Sequence, residues 1–310
     1  MPIKLIQDHD ATTPSHEYVI AGHRVISDRK VECLTAFRVT PNAPSHLGYC
    51  RGNLGTRAGH LYYCGRHLVA GRQRTVEGRV DAAGLRLHID GVAELWLVDN
   101  LSTIVVARST PEVAPCLIDE CLVGPGLILA LAQRGVFCLH AAALAEPGAA
   151  IAVCGESGTG KSTLVTEDTP PGARIADDVL PIEVADAQVW ACPEYPQLKW
   201  DADPPAKRRQ TTRYALKSVL LLDPHTPGDQ RELTVRSLSG RAAVLALVRH
   251  TVAAKLFPPD LLARHLAFCN EVAGLTPVRT LRYPKIWEML PQVRQAAAQC
   301  LDGSTPHALG

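Results

Sequence analysis

The run Gly155-Glu156-Ser157-Gly158-Thr159-Gly160-Lys161-Ser162-Thr163 follows the apolar stretch AAIAVC at 149–154 without interruption. It fits the pattern GxxxxGK[ST], in which a strand enters a glycine-rich turn and leaves it as a helix. Each residue type has a physical reason. Gly155, Gly158 and Gly160 let the backbone wrap tightly, so that its N–H groups converge on phosphate oxygens. A helix opening near Lys161 turns its positive end toward the anion. Lys161 reaches the outer phosphates as a point charge, and the Ser162 hydroxyl can ligate Mg²⁺. The whole segment, with Glu156, Ser157, Thr159 and Thr163, is the expected nucleotide-binding element. A chain built around it must supply a strand before the turn and a helix after it.

The rest of the sequence supplies that setting. Residues 1–114 read as short strands. Those at 75–80 and 85–92 flank a turn at Asp81-Ala82-Ala83-Gly84, and 95–98 and 104–107 continue the β pattern. No chemistry stands out there, so this β-rich N-terminal domain is assigned only a general partner- or substrate-binding role. From 115 onward the character changes. Pro125-Gly126 precedes an apolar helix stopped by Gly135, and VFCLHAAAL at 136–144 reads as one buried strand. Further apolar strands are expected at 179–184 and 218–222, and helices at 239–249, 260–273 and 291–301. Strands alternating with helices make 115–301 an α/β domain. DADPPAKRRQTTR at 201–213 reads as a basic surface loop, and 302–310 as a flexible tail.

A second feature lies one helix beyond the loop. Asp177-Asp178 ends a short apolar segment and can point back at bound phosphates, one carboxylate holding Mg²⁺ and the other accepting a hydroxyl proton. His140 interrupts the apolar run before the loop. On spacing alone it is either a satisfied core histidine or a group near the γ-phosphate. His60, Cys64 and His67 fit no four-ligand zinc spacing, and no Asn-Lys-x-Asp guanine motif is present.

Composition excludes several classes. Lys+Arg 32 against Asp+Glu 31 gives no general attraction to nucleic acid or an anionic membrane. No apolar run is expected to span a bilayer, and the first residues lack the apolar core of a signal peptide. The ten cysteines are scattered and form no CxxC pair, which suits reduced thiols in the cytoplasm better than a disulfide framework.

His140, GESGTGKST and the ADDV at 176–179 together resemble the HPr kinase/phosphorylase family, over roughly 115–290. The resemblance implies a nucleotide-binding core like that of PEP carboxykinase, with ATP and Mg²⁺ as cofactors. It implies catalytic roles for Asp177, Asp178, His140 and Lys161, the Asp pair supplying the base and a metal contact without saying which does which; Asp177 is taken here as the base, with Asp178 and Ser162 on the metal. The glycine-rich signature that follows the Asp pair in true HPr kinases is absent. EYPQLKW at 194–200, KSVLLLD at 217–223, LVRH at 247–250 and PVRTLRYP at 277–284 instead resemble the divergent kinases of peptide natural-product clusters, including lasso peptide kinases. The implied activity is phosphorylation of a serine hydroxyl on a peptide or small protein, by a chain that forms a homo-oligomer. EYPQLKW and the basic loop are the expected acceptor groove. The alternatives are an HPr-type kinase/phosphorylase, a kinase of a small molecule such as free serine, and a nucleotide-gated regulator without transfer.

Overall fold

The computed structural model describes residues 16–27, 29–39, 47–51, 59–69, 71–98, 103–108, 110–166, 173–197, 213–225 and 232–301. Most of the basic loop, the end of EYPQLKW, the first residues and the tail lie outside that set. The chain divides into two compact units. One comprises Met1–Arg134 with Ala253–Leu262, the other Gly135–Val252 with Ala263–Gly310.

The first unit is built on one sheet. Its strands are β1 (His16–Ile20), β2 (His23–Ser27), β3 (Leu47–Arg51), β4 (His60–Val69), β5 (Arg72–Asp81), β6 (Gly84–Ile89), β7 (Ala93–Val98) and β8 (Thr103–Arg108). They lie in the order β1-β2-β3-β8-β7-β6-β5-β4. β3 runs parallel to both its neighbours and the other pairs are antiparallel. Alternation follows the pleat: Leu85, Leu87 and Ile89 are buried, as are Leu95 and Leu97 opposite. The β5–β6 turn is the predicted one, held by the Ala83 amide donating to Asp81 Oδ1 at 2.7 Å. A Cβ on Gly84 would lie 1.9 Å from the Leu97 carbonyl oxygen, so that position requires glycine.

The helical segment after β8 also belongs to this unit. α1 (Pro115–Cys121), a π turn at Leu122–Gly126 and α2 (Leu127–Ala132) form one continuous run. Pro125 was expected to mark the helix start. Instead the wide turn absorbs its missing N–H and its ring, so the helix continues through it. A Cβ on Gly126 would meet Leu95 and Ile104 side chains at 3.3 and 3.6 Å, which seats the run against β7 and β8. The joined run reaches a mean hydropathy of 1.7 over 18 residues, long and apolar enough to cross a membrane by length and composition. This corrects the expectation that no run is. With 67% of it buried, it also has the character of a core helix.

The second unit is a mixed α/β layer structure. Its elements are β9 (Phe137–Leu139), β10 (Ala141–Glu146), β11 (Ala149–Cys154), α3 (Lys161–Thr166), β12 (Arg174–Ala176), β13 (Leu180–Ala185), β14 (Gln188–Ala191), β15 (Tyr214–His225), β16 (Thr234–Leu238), α4 (Arg241–Arg249), most of α5 (Pro259–Leu275), β17 (Val278–Pro284) and α6 (Leu290–Gln299). The sheet runs β12-β10-β11-β15-β14-β13-β9, with β17 beside the second half of β15 and β16 beyond it. β11, β15 and β17 are parallel, so their carboxyl ends share one end of the sheet. β11 shows why helices must cover both faces. Ala150, Ala152 and Cys154 pack in a cluster with Ala243, Leu247, Cys269 and Val272 of α4 and α5. Ile151 and Val153 pack oppositely, with Leu164 and Val165 of α3 and Val293, Ala296 and Ala297 of α6.

The predicted single strand at 136–144 is two strands. β9 pairs with β13, β10 pairs with β11 and β12, and His140 occupies the bend between them. The main chain after α4 holds this bend. The His140 amide donates to the His250 carbonyl at 2.7 Å, and the Val252 amide donates to the Cys138 carbonyl at 2.8 Å.

Candidate functional site

Strand direction alone brings the candidate residues to one end of the second unit. β10 is antiparallel to β11 with Ala141 opposite Cys154, so His140 sits level with the start of the glycine-rich loop. β12 is antiparallel to β10 with Ala176 opposite Ala143, so it runs the same way as β11 and delivers Asp177 and Asp178 to the same end. Ligand sites of parallel sheets lie beyond the carboxyl ends of the strands.

The loop joins β11 to α3 and is tightly tied. Gly158 and Gly160 have φ of +80° and +97°, where a side chain would be strained. Thr159 donates from its amide and hydroxyl to the Glu156 carbonyl at 3.3 and 2.9 Å. Lys161 is buried, and its Nζ donates to the Gly155 carbonyl at 2.7 Å and the Glu156 carbonyl at 3.1 Å. A folded-back lysine of this kind lies along the loop it would serve. Glu156, Ser157, Gly158 and Ser162 are exposed, and Thr163 is half-buried. Two residues at the end of β17 add to the loop from outside: the Tyr283 hydroxyl, within the strand, donates to the Thr159 carbonyl, and Lys285 Nζ, just past it, to the Gly158 carbonyl. Burial, with Asp223 nearby, pushes the Tyr283 phenol up to about 12, so it stays a donor.

The two aspartates differ in environment. His140 Nδ1 lies 3.5 Å from Asp178 Oδ1, and the Asp178 side chain is 18% exposed. The Asp177 side chain is 7% exposed, with Arg174 Nη2 at 3.6 Å from its Oδ2. Its Oδ1 is buried without a hydrogen-bond partner. Arg174 also donates to Thr166 Oγ1 at 2.8 Å, which ties the Asp turn to the end of α3. The backbone of the pair is gripped by Gln197, whose Oε1 accepts from the amides of Asp177, Asp178 and Val179 at 3.0, 2.9 and 3.2 Å.

The end of α4 completes the setting. Arg249 Nη2 lies 2.6 Å from Glu156 Oε1 of the loop. Burial lowers the pKa of His250; Glu156 opposes that shift, while Arg249, His140 and Lys161 add to it. A neutral imidazole is thereby favoured beside the loop.

The predicted loop residues, His140, Asp177 and Asp178 therefore meet at one end of the sheet. Gln197, Arg249, His250, Tyr283 and Lys285 were not singled out from the sequence, although LVRH and PVRTLRYP were noted for their layout. The useful signal was a cation directly after an apolar strand end, as at Lys285. Gln197 lies in the segment expected to form an acceptor groove, but its side chain is taken up by the Asp turn. Among the described residues, no three His, Cys, Asp or Glu side chains are placed to hold a metal unaided. Mg²⁺ in a phosphate site needs only one or two carboxylates besides the substrate's own oxygens, and the partnerless Asp177 Oδ1 suits that role. In the first unit His67 Nε2 meets the Tyr63 hydroxyl, an ordinary structural contact.

No protein-family model matches the chain. No curated protein matches it. Among solved structures, the Hpr(Ser) kinase/phosphatase from Coxiella burnetii is similar over 52% of this chain and 94% of its own, at 11% identity and a TM-score of 0.28. A likeness of that size carries no argument about this chain's chemistry.

Proposed function

We propose that the protein is an ATP- and Mg²⁺-dependent kinase that phosphorylates a serine hydroxyl on a peptide or small protein. The observation that carries this is the arrangement at the end of β11: a GxxxxGK[ST] loop, with an Asp–His pair brought to the same end of the sheet by β10 beside it and β12 beyond β10. A nucleotide-gated binder needs the loop and has no use for a base.

The chain's residues divide the work. Lys161 and the loop hold the outer phosphates, and Lys285 adds a second positive charge at Gly158. Asp178 accepts the serine proton as the serine oxygen bonds to the γ-phosphorus and the bond to the β-phosphate oxygen breaks. The aspartate roles are therefore the reverse of those taken from the sequence. The base must meet the acceptor, and Asp178 is the more exposed carboxylate and the one touching His140. Asp177, buried with an oxygen lacking any hydrogen bond, is with Ser162 the group to hold Mg²⁺. The metal, when bound, neutralises charge developing on the phosphates. Phosphoryl transfer asks mainly for position and charge neutralisation, and these residues offer both. The acceptor class, a serine near the end of a precursor peptide, comes from the motif layout described for the sequence.

The test is transfer from γ-labelled ATP with Mg²⁺ to three acceptors: a lasso-type precursor peptide ending in serine, HPr and free serine. Label on the peptide and none with Asp178→Asn is the expected result. Label on HPr or on free serine would replace the acceptor class. ATP binding with no label on any acceptor would leave the non-catalytic regulator.

A further inference from the structure

Gln197 makes an unusual set of bonds for a residue outside any regular element. Its Oε1 accepts from three consecutive amides, those of Asp177, Asp178 and Val179. Its Nε2 donates to the Val179 carbonyl at 2.7 Å and to the Tyr195 carbonyl at 3.1 Å. The side chain thus closes a ring around the turn that carries both carboxylates. It is anchored at its base by Tyr195, which is fully buried.

The chemistry singles out glutamine. Three converging N–H groups demand an acceptor, and two facing carbonyls demand a donor, so only a side-chain amide satisfies both. Glutamate would meet the carbonyls with oxygen, and asparagine would fall a methylene short. Fixing three amides also fixes where the following side chains leave the backbone. The carboxylates themselves are left unencumbered by this grip, because it acts wholly on the main chain.

We propose that Gln197 is a positioning residue that sets the Asp177–Asp178 turn in the geometry needed for phosphoryl transfer. This rests on the kinase assignment above. Small displacements of a catalytic group cost rate steeply, on the order of a hundredfold for about 1 Å. The clamp acts on the backbone that carries the carboxylates and not on the phosphate loop, so it governs turnover and leaves nucleotide affinity alone.

The test uses the full-length protein with Gln197→Met, close in volume but unable to make these bonds, and Gln197→Glu, which keeps the acceptor and loses both donations. Three readouts are taken: amide hydrogen exchange over residues 174–180, kcat with the labelled-ATP assay, and ATP affinity by calorimetry. For Gln197→Met the expected result is exchange at least about tenfold faster, kcat lower by roughly 10- to 100-fold, and ATP affinity within about twofold of the parent. Gln197→Glu is expected to lose less, again in kcat alone. Unchanged exchange would overturn the proposal, as would faster exchange with parental kcat. A fall in ATP affinity matching the fall in kcat would overturn it too, as that is what general loosening of the fold produces. If the parent protein binds ATP and transfers nothing, the kinase assignment fails and this role fails with it. The exchange result would then still tell whether the clamp exists.

Discussion

Glu94 of β7 and Asp178 after β12 are both carboxylates beside a histidine, but one sits within a ladder and the other beyond a strand end. Glu94 lies directly across the ladder from His88, with Nδ1 at 3.1 Å, and takes Arg86 at 2.5 Å as well. Its charge is answered by side chains on the same sheet face. Asp178 lies past the end of a strand, and its backbone is held by an amide side chain. Its neighbour Asp177 retains an oxygen with no partner. The comparison teaches that a carboxylate–histidine contact does not by itself mark a site. What separates the two is where the contact sits relative to strand ends, and what holds the backbone that carries it.

The sharpest way to break this contrast is Asp178→Asn. Transfer should fall by about 10³-fold, while calorimetry gives ATP affinity within about twofold of the parent. An active Asp178→Asn protein would falsify its assignment as base. Next in size is Lys161→Ala. Removing the charge buried along the loop should weaken ATP binding by at least about tenfold and lower turnover further; near-normal binding would mean the loop does not hold the phosphates.

A third prediction concerns a histidine in the core of the second unit. His265 is fully buried, bonded through Nε2 to Thr251 Oγ1 at 2.8 Å, and burial lowers its pKa from 6.5 to about 4. Below pH 6.5 the unfolded chain takes up a proton that the folded chain refuses. Stability is therefore fully present above pH 6.5 and lost as pH falls toward 4, by up to about 3 kcal/mol. Urea unfolding at pH 7 and pH 4.5 should show a smaller difference for His265→Gln than for the parent; equal differences would sink the assignment. The smallest effect is expected at Glu94→Gln: no more than about 1 kcal/mol in unfolding and no change in transfer. A loss of transfer there would erase the distinction between the two regions.

Legibility in the sequence followed the range of the physics involved. The loop was readable because its demands are local: left-handed glycines at 158 and 160, a lysine and a preceding apolar strand. The β5–β6 hairpin was readable for the same reason. The bend at His140 was not, because VFCLHAAAL has uniform strand character. The break is imposed from outside by the carbonyl of His250 and the amide of Val252. The membership of 115–132 was misjudged because Pro125 normally opens a helix, and only packing against Leu95 and Ile104 shows that it lies inside one. Gln197 stands in an aperiodic stretch, where a glutamine carries no pattern to read.

The parallel pairing of β11, β15 and β17 has a consequence for the order of assembly. Val153 aligns with Leu220 and Leu220 with Arg279, so each pairing closes a long loop of chain. Such contacts form late, after the entropy of closure has been overcome. Tyr283 and Lys285, which fasten the glycine-rich loop, arrive on and just after the last of these strands. During synthesis the loop emerges early and waits, unfastened, for more than a hundred further residues to leave the ribosome. A nascent or C-terminally clipped chain would thus carry the whole GESGTGKST motif in an untied loop, so fastening of the loop waits on completion of the domain.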